Sequence, residues 1–591
     1  MKPSARRPIG PVALIVCLSI TPSARGTTWY VDADATTPAA KVCSGDGVTP
    51  CDTVLDCPEP DVCACPAGHP TCGKSWCTAF TNLQDGLDAA ITGDTVLVAD
   101  GTYPPDPTGL ADGREATFQL PQTLPAPDLP ALNVMIQGGY AGCGAADPFA
   151  RDLILFETVL SGDLDGDDDP EGPAGPDGTC CQSTHPAGCD DETCETAVCA
   201  VRPTCCSDSW TSPCRDLARN LCCNLCGANV TRCENSYHVV TGTGTHETVT
   251  FDGFTITGGN AVGRTVGEIP RAFGGGYVSD ARPPNAGLGS AKLVACTLEG
   301  NTASRGGGGA ATFNSTDPLN RIHPNFTDCI FRSNVSAFSG GGVFNGESDA
   351  TFMNCLFENN SATTSWGGAM YSDGGKVRVL NSSVVGNFAR PSGGGLYFDG
   401  VPFITITDTI LWGNATEFAS VEPSQIATND SFASISFTAI EGCKTAMGGL
   451  CDASTTNSAA DPLFVPGPLG CYYLSQVAAG EPEDSPALDA GNDTAANLGF
   501  DDLVTTRSDE AEDLSTVDLG YHHPVSGLGL VFGDYDRDDL TTLDDYFEFT
   551  ACFTGMGPVA VPPCCRIFDD VLDRDVDLED FAAFQRSFSE P

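Results

Sequence analysis

Cys355-Leu356-Phe357-Glu358-Asn359-Asn360, followed by Gly367-Gly368-Ala369, is one copy of a unit repeated through the middle of this 591-residue chain. Related segments end at Asn301, Asn334, Asn387 and Asn414, so successive asparagines stand 33, 26, 27 and 27 residues apart. Five residues ahead of each lies Cys296, Cys329, Cys355, Ser382 or Thr409, and three ahead lies Leu298, Phe331, Phe357, Val384 or Leu411. Glycine blocks follow at 306–309, 340–342, 367–368 and 393–395, and an earlier one at 274–276 comes after Asn260. A period near 27 with short apolar strands suits one coil of a right-handed parallel β-helix, whose coils stack at about 4.8 Å. Stacked asparagines can then hydrogen-bond one another, and the glycines serve the turns. The cysteine and the apolar residue sit two apart, on one face, so Cys296, Cys329 and Cys355 are expected as small core residues.

Outward from the repeat, residues 432 to 523 read as degenerate last coils and a cap, which places the β-helix and its cap at 235–523. On the other side, residues 26–162 hold the first coils: Thr28 to Asp34 and Asp94 to Ala99 read as strands. Phe80, Leu83, Leu87 and Ile91 recur at helical spacing, a helix over 80–91 that would cap the N-terminal end and shield its strand edges. A cysteine-rich loop spans 43–77, and residues 163–234 form an acidic and cysteine-rich insert with twelve cysteines between Cys180 and Cys233. That density reads as a disulfide-stapled segment rather than a zinc site at Cys223 and Cys226, because histidine is nearly absent. Asp163, Asp165 and Asp167 to Asp169 have the spacing of a cation loop without an acidic twelfth residue, and read as an acidic loop.

Residues 1–25 have a basic start and a short apolar core, the pattern of a secretory signal. Thirty cysteines fit export to an oxidising compartment, so a secreted or cell-surface location is expected, without a transmembrane segment. The net charge of −50 disfavours nucleic acid and anionic membrane surfaces as partners and favours divalent cations.

After a linker at 524–532, residues 533–591 read as a small module with two acidic loops, each before an apolar helix. The first places Asp534, Asp536, Asp538, Thr542 and Asp545 at positions 1, 3, 5, 9 and 12, with the Leu540 carbonyl at position 7, a set that wraps Ca2+. The second has Asp569, Asp573, Asp577 and Asp580 but Val571 at position 3 and Arg574 at position 6, so weak or no binding is expected there.

These loops resemble a dockerin type I domain, and the resemblance implies two calcium loops and docking to a cohesin-like partner. Phe331 to Asn334 and Phe357 to Asn360, followed by Gly367-Gly368-Ala369, resemble the repeats of polymorphic outer-membrane proteins, autotransported surface adhesins. Trp29 to about Tyr521 resembles a pectin-lyase-like β-helix. The membrane barrel of the polymorphic proteins has no counterpart in the pattern of this chain. Pectin-lyase-like folds also host polysaccharide lyases and glycoside hydrolases, so Asp373 and Asp399, 26 residues apart after adjacent glycine blocks, are catalytic candidates. The preferred reading is a non-enzymatic binding, adhesion or structural protein for an extracellular polysaccharide or cell-surface protein; a lyase or hydrolase is the alternative.

Overall fold

The computed structural model describes residues 26–33, 42–43, 63–64, 75–76, 79–110, 112–122, 133–166, 168, 185–186, 199, 209–210, 232, 234–262, 271–282, 290–314, 321–417, 424–443, 456–500, 504–526, 533–535, 541, 543–553, 563–569 and 576–587. The signal segment, most of the cysteine-rich loop and insert, part of the linker, and Asp536, Asp538, Leu540, Thr542 and Asp573 lie outside that set.

One coil shows how the sequence makes the fold. Strand Asp349–Met353 ends at Asn354, strand Leu356–Glu358 at Asn359, and strand Met370–Asp373 follows the corner at Gly367. Those three corner residues have φ of +50°, +53° and +71°, left-handed backbone that asparagine and glycine tolerate best. The same corners recur one coil away at Asp328, Ser333 and Gly340, and again at Asn381, Gly386 and Gly393. Repeated corners keep the strands in register: Phe326 pairs with Phe352, Phe331 with Phe357, and Val343 with Met370, all in parallel. The chain thus winds a right-handed parallel β-helix with three parallel faces. They are a long sheet carrying two strands per coil, an eight-stranded sheet after the glycine corners, and a sheet of two-residue strands after the asparagines.

Inside, identical positions stack. Phe326 lies on Phe352 with centroids 5.0 Å apart, and Phe331 on Phe357 at 4.9 Å. The asparagine ladder is continuous: Asn301 Nδ2 donates to Asn334 Oδ1 at 3.1 Å, Asn334 to Asn360 at 3.0 Å, and Asn360 to Asn387 and Asn387 to Asn414 at 2.9 Å each. Gln425 receives the last link. Cys296, Cys329 and Cys355 are free, buried thiols, and each donates weakly to the carbonyl two residues back. Ser382 and Thr409 repeat that bond, which is why a thiol or a hydroxyl satisfies this rung.

The N-terminal helix runs Leu83–Ala89, with Asn82 Oδ1 capping Gln84 N at 2.8 Å. Leu83 and Leu87 enter the core against the first coils, but Ile91 is 69% exposed, so the apolar face is shorter than its periodicity implies. At the other end, residues 456–458 continue the stack on Thr438 and Ile440. The chain then turns back along the outer flank of the long sheet: Gly520 N bonds Asp408 O, Tyr521 N bonds Ser383 Oγ, and His522 N bonds Asn354 Oδ1, three successive coils. This segment buries the outward side chains Leu356, Val385 and Ile410 with Phe464, Leu474 and Tyr521.

Helices Leu543–Cys552 and Leu578–Ser587 enclose a core of Phe549, Ile567, Phe568, Val576 and Phe584. The disulfide Cys471–Cys564 and the bond from Arg566 Nη1 to Phe464 O (2.9 Å) fasten this module to the flank segment. Among the described residues, no helix is long and apolar enough to cross a membrane.

Candidate functional site

Side chains alternate across each strand of the eight-stranded sheet, so one set fills the core and the other faces outward. In strands Met370–Asp373 and Leu396–Asp399 the inward residues are Met370, Ser372, Leu396 and Phe398, all buried. Facing outward are Tyr371 and Asp373, paired in register with Tyr397 and Asp399. Phe344 precedes Tyr371 in the same column, and Phe313 occupies the Asp373 column two coils earlier.

These outward rings form a continuous strip. Phe273 touches Phe313 and Phe344 at centroid separations of 5.1 and 5.0 Å. Phe344 stacks on Tyr371 at 5.5 Å, Tyr371 on Tyr397 at 5.7 Å, and Trp366 on Tyr397 at 5.4 Å. The strip crosses five coils, about 19 Å at the usual strand spacing. Phe313 and Tyr371 are nearly covered, whereas Phe273, Phe344, Trp366 and Tyr397 are half-buried and offer part of their rings to solvent. Gly306 makes the close packing feasible, since a Cβ there would lie 2.6 Å from a Phe344 ring carbon.

A polar margin runs beside the rings. Asp399 accepts from the Tyr371 hydroxyl at 3.2 Å and from Asn429 Nδ2 at 2.8 Å. Partial burial, and then the charges of Asp399 and Glu347, raise the Asp373 carboxyl above its ordinary range. Burial and the same two aspartates hold the Tyr371 phenol far above its ordinary value, so it stays a hydrogen-bond donor. At the other end, the Arg282 guanidinium covers Phe313 at 3.9 Å and is paired with Asp280 at 2.6 Å. Lys376, on the strand after Asp373, pairs with Asp349 (3.5 Å). The margin is therefore acidic.

The sequence marked Asp373 and Asp399, and the fold puts them side by side; it did not mark the rings. Their signal was present: Phe344, Tyr371 and Tyr397 repeat at 27 and 26 residues, each immediately after the first inward position beyond the glycines. A hollow of about 100 Å³ lies in the flank segment among Gln476, Asp489, Arg507 and Asp513. It is far smaller than usual small-molecule sites, about 300 Å³ or more.

In the C-terminal module, Asp534 and Asp545, positions 1 and 12 of the first loop, are buried, as are Asp569 and Asp580 of the second. Asp545 Oδ1 accepts from Tyr535 N at 2.6 Å, and Asp580 Oδ2 from Asp577 N at 2.8 Å, while Asp577 is half-buried. Carboxylates so far from water suit a hard cation. A third acidic group was not anticipated as a group: Asp163 and Asp165 meet Glu234, with ligand atoms within 4.8 Å of one another, and could hold a divalent cation.

Neither the protein-family models nor the curated proteins compared with this chain gave a match.

Proposed function

We propose that this is a secreted or cell-surface binding protein that holds an extended, uncharged polysaccharide along its aromatic strip. The observation that carries this reading is the run of six touching rings, four of them partly open, beside Asp373, Asp399 and Asn429. The C–H faces of pyranose rings pack on aromatic faces, and carboxylates and amides at the margin take the hydroxyls. An acidic margin on a chain of net charge −50 repels polyuronates, so neutral chains are the favoured class.

The C-terminal module, by its resemblance to dockerin, would bind Ca2+ through Asp534, Asp536, Asp538, the Leu540 carbonyl, Thr542 and Asp545, and more weakly through Asp569, Asp573, Asp577 and Asp580. Calcium there orders the loops, and the module would dock onto a cohesin-like partner or another cell-surface protein. The repeats' likeness to surface adhesins agrees with a role in adhesion.

Hydrolysis is the second reading, favoured by the register pairing of Asp373 with Asp399 and by the raised Asp373 carboxyl, which suits a proton donor. Calorimetry of the full chain against neutral and acidic oligosaccharides separates the two. Binding of a neutral chain, weakened at least about fivefold by Trp366→Ala or Tyr397→Ala, is expected, each anchoring ring being worth about 1 kcal/mol or more. No binding to any neutral oligosaccharide at millimolar concentration sinks the proposal. New reducing ends that vanish in Asp373→Asn establish the hydrolase instead.

A further inference from the structure

The flank segment returns across the long sheet on a row of corners. Asp328, Asn354, Asn381 and Asp408 occupy the same left-handed corner in four successive coils, with φ between +45° and +55°. The segment docks on this row largely through its backbone. Asn492 N bonds Asp408 Oδ1 at 2.8 Å, and His522 N and O bond the Asn354 amide at 2.7 and 2.9 Å. Asn354 Nδ2 also reaches Asp328 Oδ1 at 2.9 Å.

His522 sits in this seam, wholly buried and packed on Phe500 with ring centroids 4.8 Å apart. Its Nδ1 lies 3.1 Å from Gly520 O, a group that only accepts, so Nδ1 carries the hydrogen. In the neutral ring Nε2 is then a bare acceptor. It is buried without a hydrogen bond and faces Asp513 Oδ2, 3.9 Å away. Asp513 accepts from Ser515 N and Asp518 N at 3.1 and 3.2 Å. Burial pushes the Asp513 carboxyl up, but hydrogen bonds toward His522, Ser515 and Asp518 outweigh it and hold the group below its ordinary range. Two lone pairs facing each other in a dry seam repel, and a proton on Nε2 turns the contact into an ion pair. Asp328 and Asp408 act on the same imidazole from the coils, and Asp518 from the flank segment. Further out, Lys292 acts on Asp328 and Asp493 on Asp408, while Arg507 acts on Asp518 and is paired with Asp509 at 2.7 Å. Of the buried neighbours Tyr521 and His523, Tyr521 is kept a neutral phenol by burial.

We propose that this seam is an acid-closed latch, in which protons on His522, Asp408 and Asp518 hold residues 513–523 against the coils and their loss near neutrality loosens that stretch. Two carboxyls fix the direction. Burial pushes Asp408 up to about 6, and burial, then Asp513, raises Asp518. Released to water, each returns to about 4. Their contribution to docking is therefore complete below about pH 4 and is lost as pH rises through about 6. The latched stretch leads toward the C-terminal module, whose second attachment, Cys471–Cys564, is covalent and does not follow pH. Proton release thus relaxes one attachment of the module and leaves the other in place.

Peptide-resolved hydrogen exchange on the full-length, oxidised protein, corrected for the intrinsic pH dependence of exchange, tests the latch. Protection in peptides covering 513–523 is expected to be at least about tenfold greater at about pH 5 than at about pH 7.5. Protection around 255–261, in a coil before the docked row, should change by less than about twofold. Asp408→Asn imitates the protonated carboxyl and places at this corner the residue that Asn354 and Asn381 already provide. It should raise protection of 513–523 at the higher pH and shrink the pH ratio several-fold. His522→Phe keeps the packing on Phe500 without a proton site, and should lower protection more at about pH 5 than at about pH 7.5. Equal protection at the two pH values, or greater protection at the higher one, overturns the latch. A change of equal size around 255–261 also overturns it, because the effect then belongs to the whole β-helix, as does a pH ratio unaltered by both substitutions.

Discussion

At the scale of single residues, the asparagine ladder concentrates more consequence than any other feature. Asn360 Oδ1 accepts from Asn334 N and Nδ2, at 3.1 and 3.0 Å, while its own Nδ2 donates to Phe331 O at 2.7 Å and to Asn387 Oδ1 at 2.9 Å. All of these groups are buried, and removing the amide leaves several without partners. Asn360→Ala is expected to cost about 3 kcal/mol or more. The adjacent Asn359 provides the contrast, since its φ of +53° suits glycine better than any side chain. Asn359→Gly should shift stability by no more than about 1 kcal/mol. Denaturant unfolding of both variants measures the difference, and equal losses would contradict the ladder's role. The thiol rung behaves otherwise, because Ser382 and Thr409 already replace cysteine in later coils. Burial also pushes the Cys296 and Cys329 thiols well up, so these cysteines are packing groups rather than nucleophiles.

At the scale of elements, the glycine corners do two separate jobs that the sequence alone merges. Gly367 has a φ of +71°, whereas Gly341 lies outside that region but has no room: a Cβ there would meet Gly368 O at 2.4 Å and Ser361 N at 2.5 Å. Gly341→Ala must push two coils apart, at a cost of about 3 kcal/mol. Gly109→Ala, with a φ of +82° and nothing within 4 Å, bears only backbone strain of about 1 kcal/mol. Thermal melts of the pair check this, and Gly341→Ala melting no lower than Gly109→Ala would refute the close approach. The coil was legible because its corners, ladder and core residues repeat at one period. The ring strip was not, because Phe344, Tyr371 and Tyr397 become outward residues only once the inward set is known. The retreat of residues 459–523 along the flank was equally hidden. Its contacts, such as His522 with Asn354, join positions 168 residues apart and follow no repeat.

At the scale of the whole molecule, the question is how a 59-residue acidic module stays folded on a chain of net charge −50. Its core is small, built around Phe549, Phe568 and Phe584, and it buries Asp534, Asp545, Asp569 and Asp580. Burying four carboxylates in so small a core is unfavourable unless charge and hydrogen bonds compensate. Calcium in the proposed loops would supply the charge, and two disulfides, Cys552–Cys565 and Cys471–Cys564, restrict the unfolded chain. Metal and disulfide then divide the work. In the proposed site the metal would hold the loops folded, while the Cys471–Cys564 bond holds the module against the β-helix. Chelation should therefore lower the module's own melting transition by about 10–20 °C, the effect of losing a ligand present far above its dissociation constant. The main β-helix transition, which rests on the stacked core, should move little. Protease added to the chelated protein should cut within 533–563, and the C-terminal fragment, which carries Cys564, should stay attached on a non-reducing gel and separate on a reducing one. A module transition indifferent to chelation would show that its buried carboxylates are balanced by hydrogen bonds alone.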